Sequence, residues 1–260
     1  MRIMQPGLVS VTFRPLAPEA IITLAKENRL YAIEWGGDTH VPHGQLEKAR
    51  LIGNQTRDSG LAVASYGSYF RAGESPTEGL FAEDVIATAK ALGAPAIRIW
   101  AGKQREDTAS PEYRAAVVAE IIEIADRAAD ANLEIFLEYH DWTLTNTPGS
   151  TLRLLEEVDR PNLFTLWQPT NGASYQTCLD TLSQILPHLA HLHVFHWGQG
   201  WKDRFPLAEG GERWKGYLEM TRLAPPRSPR YALLEFVRDD DPANLSNDAE
   251  TLRAWLGITD

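Results

Sequence analysis

The sequence predicts an α/β chain folded as a single-domain (β/α)8 TIM barrel spanning residues 1–260. Three observations carry this. Eight short β-rich runs recur along the chain, segments with helical spacing lie between them, and 260 residues shared by eight repeats give about 32 each, the size of one βα unit. The β-rich runs are 8–13, 31–35, 61–69, 96–100, 133–139, 163–167, 189–195 and 231–237. Between them, 18–29 places Ile21, Ile22, Leu24 and Ala25 on one helical face. Segment 111–131 does the same with Val117, Val118, Ile121, Ile122, Ile124, Ala125 and Ala128. Ser110-Pro111-Glu112 and Thr147-Pro148 supply a capping hydroxyl followed by proline at the first helical position. No interdomain linker is evident, and the proline-rich stretch 225–229 reads as a stiff loop before the eighth strand. An open doubly wound sheet would begin with a glycine-rich fingerprint after its first strand, and Phe13-Arg14-Pro15-Leu16 offers none.

Composition narrows the function classes. The chain is 43% hydrophobic and carries 35 acidic against 25 basic side chains, a net charge of −10. A nucleic-acid binder would need a basic footprint, so no nucleic-acid partner is expected. No run approaches the ~18–20 apolar residues of a membrane span, and Arg2 is followed by no apolar leader core. The expectation is a cytoplasmic chain without a membrane partner. The single cysteine, Cys178, cannot form an intrachain disulfide and reads as a small core residue.

In such a barrel, chemistry gathers at the C-terminal ends of the strands. Trp35, Trp100, Trp142, Trp167, Trp197 and Trp201 lie at or just beyond strand ends, as do His40, His43, His140, His193 and His196. Tryptophan faces there make walls for sugar C–H surfaces; the alternative is that they fill the gap between strands and helices. Glu34, Glu138 and Glu235 end strands two, five and eight among apolar neighbours, where a carboxylate needs a cation or a donor to meet it. Arg98, midway along strand four, is the natural partner for Glu34, which would leave Glu138 and Glu235 without one. On strand seven, His191 and His193 share a face by the period of two, with His193 nearer the mouth. Two carboxylates and an imidazole suit a divalent ion such as Mn, Mg, Co or Zn.

These residues sit in segments that carry a resemblance: 33–42 (IEWGGDTHVP), 65–71 (SYGSYFR), 98–102 (RIWAG), 137–140 (LEYH) and 144–147 (LTNT). Over essentially the whole chain the sequence resembles the xylose-isomerase-like TIM-barrel superfamily of sugar phosphate isomerases and epimerases. The resemblance implies one metal held by Glu138, by the strand-six position, by His193 and by Glu235. Strand six departs from the family pattern, because Gln168 stands where an aspartate is usual and brings no charge. The implied activity is isomerisation or epimerisation of a small sugar or keto-sugar. Glu138 and Glu235 would pass a proton across the two faces of an enediolate that the metal stabilises. Glu34, Trp35, His40, Arg98, Trp100, His140, Trp167 and Asn171 would contact the carbohydrate. The loop 195–211 would act as a lid or specificity element, with Lys202 and Arg204 gripping a carboxylate or phosphate or standing as solvated charge. A dehydratase of a polyol ketone shares the enolate step. A non-catalytic carbohydrate-binding relative finds its support in Gln168, and a homo-oligomer is compatible with either. An endonuclease-IV-like enzyme would need more ligands and a basic groove.

Overall fold

Strand and helix alternate eight times among the residues described by the computed structural model, which are 4–200, 202–227 and 229–258. In order these are β1 (Gln5–Val9), α1 (Pro18–Glu27), β2 (Ala32–Gly36), α2 (Leu46–Asp58), β3 (Ala62–Arg71), α3 (Ala82–Leu92), β4 (Ala96–Trp100) and α4 (Pro111–Asp130). There follow β5 (Glu134–Glu138), α5 (Pro148–Val158), β6 (Leu163–Trp167), α6 (Tyr175–Ile185), β7 (Leu189–Val194), α7 (Gly211–Thr221), β8 (Tyr231–Leu234) and α8 (Leu245–Trp255). Each strand pairs in parallel with the next, and β1 pairs with β8 from Gln5 opposite Tyr231 to Leu8 opposite Leu234, closing the (β/α)8 barrel.

The first and last strands depart most from the sequence expectation, and the other strand ends differ by at most two residues. β1 starts three residues earlier, and Ser10–Phe13 is a 3-10 turn whose residues are all buried. The alternation of apolar and polar residues over 8–13 resembles a strand because the turn tucks Val11 and Phe13 into the core. β8 stops at Leu234, so Glu235 lies just past its end. Both expected caps are present: the Ser110 hydroxyl accepts from the Tyr113 amide at 3.2 Å, and Thr147 accepts from that of Ser150 at 3.1 Å.

The strands sort their side chains by the period of two. Ile97, Ile99, Ile135, Leu137, Trp167 and Leu192 face the helices in the large core layer, while Ala96, Phe136, Leu166 and Ala190 pack inside the barrel. Cys178 is buried in the layer between strands and helices. No helix of the described residues is long and apolar enough to cross a membrane.

Candidate active site at the barrel mouth

A cavity of about 490 Å³ opens at the C-terminal ends of the strands, a volume typical of small-molecule sites. Its floor is a charge stack centred on Arg98, which is 1% exposed. The Arg98 Nε donates to Glu34 Oε1 at 2.7 Å and its Nη1 donates to Glu138 Oε2. Glu34 also accepts from the Ser65 hydroxyl at 2.6 Å, and Glu138 from the indole N–H of Trp100. The guanidinium fits because residue 67 is glycine: a Cβ there would lie 2.6 Å from Arg98 Nη2.

Beside Arg98, Glu138, His193 and Glu235 each offer a ligand atom within 4.8 Å of the others, Glu138 and Glu235 from the cavity lining and the fully buried His193 from behind it. His193 Nδ1 lies 3.3 Å from Glu235 Oε2 and 3.8 Å from Glu138 Oε1, and its Nε2 lies 3.6 Å from Glu34. Neither nitrogen makes a hydrogen bond of good geometry, although both are buried. Burial alone would lower the His193 pKa, but Glu235 and Glu34 outweigh it and hold it at about 10. Burial pushes the carboxyls of Glu34 and Glu138 up, and Arg98 overrides it, keeping both below the usual carboxylate range. Two carboxylates and an imidazole with orphaned nitrogens fit a divalent cation, which would take the place of the His193 proton. Gln168 donates from Nε2 to Glu138 Oε1 at 3.3 Å, so its amide stands beside this triad.

The cavity wall is aromatic. Trp100 stacks on His140 at 4.8 Å, Arg71 covers the Trp100 ring at 4.2 Å, and Trp142, 66% exposed, stands at the rim. Asn171 and Gln168 also line the cavity.

Several expected contacts lie elsewhere. Trp35 and Trp167 are fully buried behind the barrel wall, where their indole N–H groups donate to Thr56 at 3.1 Å and Thr181 at 3.2 Å. Their neighbours Glu34 and Gln168 point inward, so they must point outward. Glu34 itself lies beneath Arg98 and does not line the cavity. His40 packs behind the mouth with Nδ1 3.1 Å from the Ser10 hydroxyl, and His43 meets the Tyr66 hydroxyl at 2.8 Å. Arg204 pairs with Asp240 and covers the Phe236 ring at 4.2 Å, and Lys202 is exposed; neither lines the cavity. Glu138, expected to lack a cationic partner, has one in Arg98. Trp201 lies outside the described residues.

Other lining residues were not anticipated. Between Gly67 and Arg71 the register of β3 against β4 slips, and in this bulge Tyr69 adopts φ 57° and covers Arg98 at 4.9 Å. Arg14, held by Asp38 at 2.9 Å, donates to the Tyr69 hydroxyl at 3.1 Å. Phe236 adopts φ 61°, and its amide donates to the Thr12 hydroxyl at 3.0 Å. The doubled aromatics of Ser65-Tyr66-Gly67-Ser68-Tyr69-Phe70 beside a glycine were the available sign of a bulge.

The comparisons with known proteins agree with this architecture. A 3-dehydroshikimate dehydratase of Bacillus anthracis is 36% identical over 103 residues, which is 37% of this chain and 35% of that relative's length. Among solved structures, the probable 3-DHS dehydratase AsbF involved in petrobactin synthesis from Bacillus anthracis superposes with a TM-score of 0.78 at 23% identity, covering 96% of this chain and 98% of its own. D-allulose 3-epimerase from Methylomonas sp. superposes with a TM-score of 0.68 at 17% identity, covering 98% and 99%. At these identities the likeness is one of fold. The family model described as Xylose isomerase-like TIM barrel matches residues 22–253, and the chain belongs to that family.

Proposed function

We propose that the chain is a divalent-metal-dependent dehydratase acting on a small β-hydroxy ketone of the polyol type. The supporting observation is the state of Glu138. An epimerase of the two-base kind needs free carboxylates on both faces of the substrate, and here Glu138 is held by Arg98, Trp100 and Gln168 with its pKa depressed. A carboxylate so engaged is a poor proton carrier. Elimination needs one carboxylate to take the α proton and pass it to the leaving group, with a donor at the departing hydroxyl, and the cavity offers these in Glu235 and His140. The dehydratase similarity over 103 residues favours the same reading.

Glu138, His193 and Glu235 would hold the ion. When bound, it supplies Lewis-acid polarisation of the substrate carbonyl. Glu235 faces His193 with Oε2, which leaves its second oxygen to take the proton α to the carbonyl. The C–H electron pair forms the new C=C bond as the β C–O bond breaks. The His140 Nδ1 accepts from the Trp142 amide at 3.3 Å, which leaves Nε2 as the ring's donor of a hydrogen bond to the departing hydroxyl, and the Glu235 carboxyl passes on the proton it took so that the hydroxyl leaves as water. Trp100 stacked beneath His140 fixes the ring, and Arg98 holds Glu138 in place.

The test is incubation of the Mn²⁺-loaded protein with 3-dehydroshikimate and, separately, with D-psicose in D₂O. The expected result is loss of one water from the dehydroshikimate, with the rate lowered about 10²–10⁴-fold in Glu235→Gln and His140→Gln. Deuterium entering the ketose without loss of water would overturn the dehydratase reading and restore the epimerase.

A further inference from the structure

Beside the main cavity lies a side pocket of about 30 Å³ that shares with it the wall formed by Pro169, Thr170, Asn171, Phe195 and Trp197. The far wall is α7, which contributes Arg213, Trp214 and Tyr217. Tyr217 is 1% exposed and its hydroxyl, which faces the Cys178 thiol, makes no hydrogen bond of good geometry; the indole N–H of Trp197 is buried and unpartnered. Neither ring can swing to find one. Tyr217 is wedged against Trp167 at 5.0 Å and Trp214 at 5.5 Å, and Trp197 stacks on Phe195 at 4.3 Å. Buried donors left unmet are costly and therefore point to a missing acceptor.

The chemistry of the lining says what kind. Trp197 offers only a donor, Arg213 offers a cation in the first turn of α7, and no carboxylate lines the pocket. The Arg213 guanidinium uses Nη1 on the Ala173 carbonyl at 3.4 Å, which orients the side chain along this wall. His196 completes the enclosure by lying flat against Gly210, where a Cβ would approach its Nδ1 to 2.9 Å. A donor-rich, cation-flanked pocket of this volume admits a group of two or three heavy atoms rather than a tetrahedral phosphate. We propose that this pocket is an anion subsite that receives a carboxylate carried by the ligand of the main cavity. The proposal rests on the preceding functional reading only in taking the main cavity as the substrate site.

The test is a titration of the Mg²⁺-loaded full chain with acetate, acetamide and inorganic phosphate, following the indole ¹⁵N–¹H resonance of Trp197, assigned by its loss in Trp197→Phe. Acetate is expected to shift that resonance saturably and acetamide to leave it unmoved. Arg213→Met, an exposed substitution that preserves the fold, is expected to weaken acetate about tenfold, and Tyr217→Phe to weaken it several-fold. Mg²⁺ affinity by calorimetry should stay at the wild-type value in both. Equal response to acetate and acetamide, phosphate binding more tightly than acetate, or acetate affinity unchanged in Arg213→Met would each overturn the subsite. Failure of the functional reading is separable: Mg²⁺ affinity indifferent to Glu138→Gln and His193→Gln, with acetate still seen at Trp197, removes the metal enzyme and leaves the subsite standing.

Discussion

At the scale of single residues, the site is organised by the pairing of Arg98 with two buried carboxylates. Taking away one partner of a buried pair exposes the full desolvation cost of the other, about 3–5 kcal/mol. Glu34→Ala is therefore expected to lower the urea midpoint by that stability while leaving Glu138 in place, and a variant as stable as the parent would contradict the buried stack. His191 gives the pH counterpart. Burial against Phe136 and Tyr231 pushes its pKa down to about 3. The unfolded chain binds that proton near pH 6.5 and the folded one does not, so stability falls as pH drops from about 6.5 toward 3. His193 runs the other way. Held at about 10, it contributes stability that is full below about pH 6.5 and is lost as pH rises toward 10. An ion that enters the triad at pH 7 must displace the His193 proton, so calorimetry in buffers of different ionisation enthalpy should report about one proton released per ion bound.

At the scale of elements, the inward and outward faces of each strand decide which tryptophans meet a ligand. Trp100 shares a face with Arg98 and enters the cavity, whereas Trp35 and Trp167 follow inward residues and pack against helices. Trp167→Phe is expected to cost stability, through the lost hydrogen bond to Thr181, and to leave KM unchanged. Trp100→Phe, which removes a donor to Glu138, should change kcat and KM together. The alternation of residues along β2, β4 and β6 carries that distinction, yet Trp35 and Trp167 were expected at the carbohydrate with Trp100; the eight repeats, the two capped helices and the convergence of Glu138, His193 and Glu235 were legible. Arg14 and Tyr69 were not legible. They reach the cavity through a 3-10 turn and a register slip, and neither follows the period of a regular strand. The Arg98–Glu138 contact was also hidden, because one guanidinium serving two strands has no signature in the spacing of either.

At the scale of the whole molecule, a cation held by residues from β5, β7 and the end of β8 would tie together segments that only the folded chain brings into proximity. Any ligand that binds the folded state alone stabilises it by mass action, about 2.7 kcal/mol at a hundredfold excess over Kd. Stripping the metal with a chelator should therefore lower the melting temperature, and readdition of Mn²⁺ should restore it; a melting curve indifferent to both would argue against the triad as a metal site. The closing seam adds a temporal consequence. The Thr12 hydroxyl receives the Phe236 amide from 224 residues away, beside the strand pairing of β1 with β8. While the chain is still on the ribosome, a fragment ending before Tyr231 already carries Glu138 and His193 but has neither Glu235 nor the last stave of the barrel. A cation held by all three groups would therefore have to await synthesis of the eighth strand, and a product that stops short of Glu235 would lack the full set.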